Sequence, residues 1–241
     1  MFSLYHNLYI VATVVFLVVG VLVMGKLPRW AQNIVFLALV IVGSGGVFYR
    51  YALNLGDGSF NLKRLLIQML QVCNFNFVLL PLCLVPRFKI ARDYLYYFSM
   101  FAACTVFLTY GPRIVQYGWD SPIVVNFWIN HVCVVAFGLF LPASGRYLPT
   151  RKNIPIVSIL VVAYFVVSFL GSTYLIKVEG WKVEDTFSFV YTPEGNPVFE
   201  MLYKWIPVPL AYLLPLVPFL VGWFYLVEFV SRKCYGKRYQ G

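Results

Sequence analysis

Apolar residues along this chain come in long runs, separated by short polar segments rich in Lys, Arg, Gly and Pro. The runs cover residues 8–24, 34–53, 65–85, 94–110, 123–141, 156–176 and 205–230. About 20 apolar residues in a helix cross the hydrocarbon of a bilayer. Inside lipid a helix satisfies its own backbone N–H and C=O groups, which an open strand does not. The pattern therefore predicts an all-α, polytopic membrane helix bundle of seven transmembrane helices, forming one integral membrane domain over 1–241. The segment before the first run, MFSLYHN, has no basic residue, and GKLPRW after it lacks a small-residue cleavage site. That run reads as a retained helix rather than a signal peptide. The last run carries Pro207, Pro209, Pro215 and Pro218, which predicts a kink or an interfacial start.

Composition strengthens this picture. Hydrophobic residues make up 61% of the 241 and charged residues 12%, against roughly 45–50% and about 25% in soluble domains. The net charge of +10 does not indicate a nucleic-acid partner, because the basic residues sit in short loops between apolar runs rather than in a stripe. With seven spans, the loops on the N-terminal side hold seven Lys and Arg, and those on the opposite side hold twelve, among them Lys26, Arg29, Arg92, Arg146 and Arg232. The richer side is normally cytoplasmic. This places the N-terminus outside and the C-terminus in the cytoplasm of a multi-pass cell-membrane protein.

Polar residues inside the runs are costly and need a reason. The third run holds Gln68, Gln71, Asn74 and Asn76 around Cys73. At 100° per residue, Gln68, Gln71 and Asn74 share a stripe with Arg64, while Asn76 is the polar neighbour nearest Cys73. The fifth run holds Asn126, Asn130 and Cys133 on one face, with His131 about 100° away. Cys73 and His131 are each the ninth residue of runs predicted to travel in the same direction, so both lie roughly 12–13 Å below one edge. An imidazole is a usual base for a cysteine nucleophile. Nearby amides could orient the base or hydrogen-bond an oxyanion. The same residues also suit interhelical hydrogen bonding or the wall of a polar path.

Other features carry less. The GSGG cluster at 43–46 allows close helix approach or a local break. Glu228 is spaced to pair with Arg232 one turn later. The loop from Lys177 to Lys204 contains TPEGNP and is a candidate lid or a solvated connector. The five cysteines include no CxxC pair, and HExxH, phosphate-loop and GxSxG motifs are absent. No metal or cofactor is expected.

Three segments carry a resemblance: QVCNFNFVLLPLCL at 71–84, NFWINHVCVVAFGLFL at 126–141 and TFSFVYTPEGNPVFEML at 186–202. In this order and on this frame the chain resembles the YwaF-like integral membrane family and its eukaryotic transmembrane-protein-164 relatives. Gln71 stands where the family often has histidine, and Thr186 where asparagine is common. The resemblance implies a lipid acyltransferase with Cys73 as nucleophile and His131 as its base, acting on membrane lipids. Gln68, Gln71, Asn74, Asn76, Asn126 and Asn130 would then line the substrate site. Two other expectations stand beside it: a non-enzymatic transporter, with these amides along its path, and a partner subunit for another membrane protein. Against coupled transport, only Glu228 places a carboxylate in a run, at its end.

Overall fold

The computed structural model describes residues 4–55, 69–109, 111–183, 186, 188–193 and 196–236. Among them every regular element is helical. The helices are α1 (Leu4–Met24), α2 (Arg29–Leu55), α3 (Val72–Leu84), α4 (Lys89–Tyr94), α5 (Met100–Thr109), α6 (Gly111–Tyr117), α7 (Pro122–Ala143), α8 (Ile154–Glu179), α9 (Pro197–Trp205) and α10 (Leu216–Tyr235). A π-helical stretch, Leu95–Ser99, joins α4 to α5.

Among the described residues five segments are long and apolar enough to cross a membrane: Leu4–Met24, Arg29–Val47, Pro122–Ala143, Arg151–Glu179 and Ala211–Tyr235. Two of the seven predicted runs take a different form. Residues 94–110 belong to the jointed path from α4 to α5, and its last residue lies outside the described ones. In 65–85 the described helix is only Val72–Leu84. Gln71 is extended, with φ −73° and ψ 131°, so the helical stripe predicted through Gln71 and Asn74 does not form there. The 205–230 run breaks as its prolines require. Helix α9 stops at Trp205, and Ile206 before Pro207 takes φ −130°, because a residue preceding proline is pushed out of the α region. The path resumes with a 3-10 turn at Ala211–Leu213 and continues as α-helix from Leu216, one residue after Pro215.

Helix α7 is the hub, with most of its length buried and α1, α2 and the α4–α5 path packed on it. Ser121 precedes it and Pro122 opens it, where the missing proline N–H costs nothing. Small residues on α2 set the closest approach. A Cβ on Gly43 would lie 2.9 Å from Leu80 Cδ1 and 3.0 Å from Cys133 Cβ, and one on Gly46 would lie 2.3 Å from Asn126 Oδ1. The freed backbone is used: Asn130 Nδ2 donates to Gly43 O at 2.6 Å, and Asn126 Nδ2 to Gly46 O at 2.7 Å. Gly45, between them, faces open space.

In contrast, α1 buries only His6, Thr13 and Met24 and exposes Leu8, Val11, Val15, Val18 and Leu22. That surface suits lipid contact. Helix α8 ends at Gly180, whose φ of +70° closes the helix in the left-handed region.

The glycine seam yields a test. Gly43→Val should destabilise the protein by about 1–3 kcal/mol through overpacking. Gly45→Ala should be neutral or stabilising by up to about 1 kcal/mol, since it adds helix propensity without a clash. Thermal unfolding of the two variants in one detergent checks this; equal effects would show that the seam is not tightly packed.

Candidate functional site

Cys73 is the second residue of α3, and His131 sits midway along α7. The fold brings them together, with His131 Nε2 2.9 Å from Cys73 Sγ. The other ring nitrogen, Nδ1, is 2.7 Å from the Phe127 carbonyl oxygen one turn earlier. A carbonyl only accepts, so Nδ1 carries the hydrogen, and in the neutral ring Nε2 presents its lone pair to the thiol. The Phe127 ring lies over the imidazole at 4.2 Å between centroids. His131 is buried and Cys73 half-buried.

A small cleft with room for about one water molecule runs beside the pair. Gly46 and Val47 of α2, Cys73 and Asn74 of α3, and Asn126, Phe127, Asn130 and His131 of α7 line it. Asn130 is held by its Nδ2 bond to Gly43, while its Oδ1 is buried without a hydrogen-bond partner. Asn74 donates through Nδ2 to Gln71 Oε1 at 3.2 Å. Gln71 and Asn76 do not line the cleft; Asn76 is buried in α3 with an unpartnered Oδ1. Gln68 lies outside the described residues.

The start of α3 is pinned through one carbonyl. Leu70 O accepts from Ser188 Oγ at 2.9 Å, from Ser168 Oγ at 3.2 Å and from the Tyr164 hydroxyl. Ser188 and Phe189 hold left-handed backbone, with φ +67° and +59°, and Leu210 has φ +61°. Such positions cost about 1–3 kcal/mol each and persist only where their surroundings fix them. Here the Tyr212 hydroxyl donates to Phe189 O, and Leu210 N donates to Val190 O at 2.7 Å. Part of the loop expected as a lid or a connector thus abuts the helix start that carries Cys73. Thr186, in the same loop, bonds its own turn, with Oγ1 donating to Val183 O at 2.6 Å.

Two buried carboxylates form a separate group at the far end of the bundle. Glu228 pairs with Arg232, as its spacing predicts, and lies 3.7 Å from Arg151. Asp93 was outside the sequence expectation because it falls one residue before the 94–110 run. It is buried, accepting from Tyr147 Oη at 2.5 Å and from Asn153 Nδ2 at 2.7 Å. Its neighbours in the sequence, Arg92 and Tyr94, gave no sign that the position turns inward.

An apolar helix bundle with a thiol–imidazole pair and amides around a cleft defines a class: multi-pass integral membrane proteins with a candidate nucleophile and base within the helix bundle. Within that class the chain belongs to the TMEM164 family, whose model matches residues 1–227. Searches among curated proteins and among solved structures found no match.

The geometry predicts that thiol reactivity at position 73 depends on the imidazole. In a variant with Cys83, Cys104, Cys133 and Cys234 all changed to Ala, iodoacetamide should label Cys73. His131→Phe should slow that labelling by about tenfold or more, since the thiolate is the reacting form. Equal rates would mean that the contact does not activate the sulfur.

Proposed function

We propose that this protein is a membrane-embedded lipid acyltransferase that works through a thioester on Cys73. The observation that carries the reading is the 2.9 Å contact of His131 Nε2 with Cys73 Sγ, with the tautomer fixed by the Phe127 carbonyl. Family membership is consistent with it.

In the first half-reaction the Cys73 sulfur attacks the acyl carbonyl of a donor lipid ester. His131 Nε2 takes the thiol proton as the S–C bond forms. The C–O bond to the donor then breaks, and the proton passes from Nε2 to the departing alkoxide oxygen. In the second half an acceptor hydroxyl attacks the thioester and gives its proton to Nε2. The C–S bond breaks, and that proton returns to sulfur. No oxidant, metal or further co-reactant is needed.

Two local features support this chemistry. The opening turn of a helix favours negative charge nearby, and Cys73 lies in the opening turn of α3. Asn130 lines the cleft, and its buried, unpartnered Oδ1 is an acceptor, a group that would suit a hydroxyl and not an oxyanion. Substrates would reach the site from the membrane, in a seven-crossing arrangement with the N-terminus outside the cell.

The test uses purified full-length protein in nanodiscs with a phospholipid bearing an alkyne-tagged acyl chain. The expected outcome is a hydroxylamine-sensitive tag on wild-type protein and none on Cys73→Ala. His131→Gln should lower the rate of tagging by about 10²–10⁴-fold, the range of a lost general base. Absence of tag from folded wild-type protein, together with an unchanged host lipid profile in Cys73→Ala cells, would remove the proposal.

A further inference from the structure

A second polar site lies where α2 begins and α7 ends, away from Cys73. Two arginines from separate segments meet there, Arg29 at the first position of α2 and Arg146 just after α7, and Arg92 in α4 lies near enough for its charge to act on Arg146. Buried Gln32 organises Arg29 and Arg146. Its Nε2 donates to Met24 O at 2.9 Å and Leu27 O at 3.2 Å, fixing the amide against the end of α1. Its Oε1 then accepts from both Arg146 Nε at 2.9 Å and Arg29 Nη1 at 3.4 Å. Two cationic side chains therefore converge on one neutral oxygen.

Arg146 is further held by Nη1 on Asn33 Oδ1 at 2.6 Å and Nη2 on Arg29 O at 2.9 Å, and its guanidinium carbon lies 5.5 Å from the Phe36 ring centroid. Arg92 is anchored through Nε on Cys83 O at 2.8 Å. Every acceptor bonded to the three is uncharged, and among the described residues no carboxylate pairs with any of them. Burial, with the charges of Arg29 and Arg92, lowers the pKa of Arg146. Like charges held together on neutral supports repel unless an anion joins them. Guanidinium forks match phosphate oxygens in geometry and are weakly hydrated, so they release water readily on pairing.

We propose that Arg29, Arg92 and Arg146 form a binding site for a phosphate group, supplied by the headgroup of an anionic membrane lipid. The neutral clamp on Arg146 fixes one fork, and Arg29 and Arg92 supply further positive charge. This site is independent of the thioester chemistry.

The test employs purified full-length protein in an uncharged detergent, titrated with phosphatidylglycerol, with phosphatidylcholine or with inorganic phosphate, and read by native mass spectrometry and thermal melting. Phosphatidylglycerol should bind and raise the melting temperature, and phosphatidylcholine should not. In the double variant Arg29→Gln/Arg92→Gln, which leaves the Arg146 clamp in place, affinity for phosphatidylglycerol should fall by about tenfold or more. Cys73 alkylation at the wild-type rate in that variant shows that the fold is intact. Inorganic phosphate binding as tightly as the lipid would overturn the lipid source, and equal lipid affinity in wild type and double variant would overturn the site itself.

Discussion

The arrangement rests on two side-chain amides that reach across a helix interface to backbone oxygen. Asn126 and Asn130 donate to the carbonyls of Gly46 and Gly43, carbonyls reachable only because those residues lack side chains. In an apolar surrounding a polar group without a partner is costly, so each amide specifies one rotation and one depth of α7 against α2. With that face committed, His131, one residue after Asn130, must point elsewhere. It points to the start of α3, and the register of the seam is thereby also the register of the thiol–imidazole contact.

The second requirement is that α3 start where it does. A helix running through Gln71 would turn Cys73 to another side and bury its first turn in an unbroken ladder. The extended backbone at Gln71 and the bonds onto Leu70 O prevent this. The anchor comes from α8 and from the 188–190 stretch, which holds unfavourable backbone in place through Tyr212 and Leu210. Strain of a few kcal/mol is thus tied to the placement of one helix terminus. Its effect is to set Cys73 at the mouth of a helix rather than in its middle, where the surrounding N–H groups would already be engaged.

Much of this was legible in the sequence, and unevenly. Long apolar runs gave the helical class and the location of the elements, because lipid leaves little choice of backbone. The face shared by Asn126, Asn130 and Cys133 follows from helical spacing, and GSGG allowed a close approach without naming the helix that makes it. The juxtaposition of Cys73 and His131 came out of a depth argument that assumed a helix from residue 65. The described helix begins at Val72, so the two meet for a different local reason. The stripe through Gln71 failed because nothing in QVCN distinguishes a helix start from a helix interior. The carbonyl of Phe127, which sets the imidazole tautomer, is backbone and leaves no trace in residue type. Asp93 was missed because hydropathy assigns a charged residue at the edge of a run to the water side, whereas Tyr147 and Asn153 supply the hydrogen bonds that let it turn inward.

Among the described residues, those lining the cleft at Cys73 carry amides, a thiol and an imidazole, which can sit among apolar helices once hydrogen-bonded. The buried carboxylates Asp93 and Glu228 and the three arginines gather toward the ends of α7 and α10 and the start of α2. There Glu228 is matched by guanidinium, while the arginines at Gln32 are matched only by neutral oxygen. An ion in an apolar interior carries a solvation cost that amides do not. A neutral acid–base pair can therefore be kept deep in the bundle if it forms charge only during a reaction, and permanent charge is left to the ends, where water or headgroups can complete its coordination. Among the described residues the cleft follows this rule: it is lined by one imidazole, one thiol and amides, of which Asn126 and Asn130 are bound to helix backbone and Asn74 to the Gln71 side chain, and none of these groups carries a fixed charge.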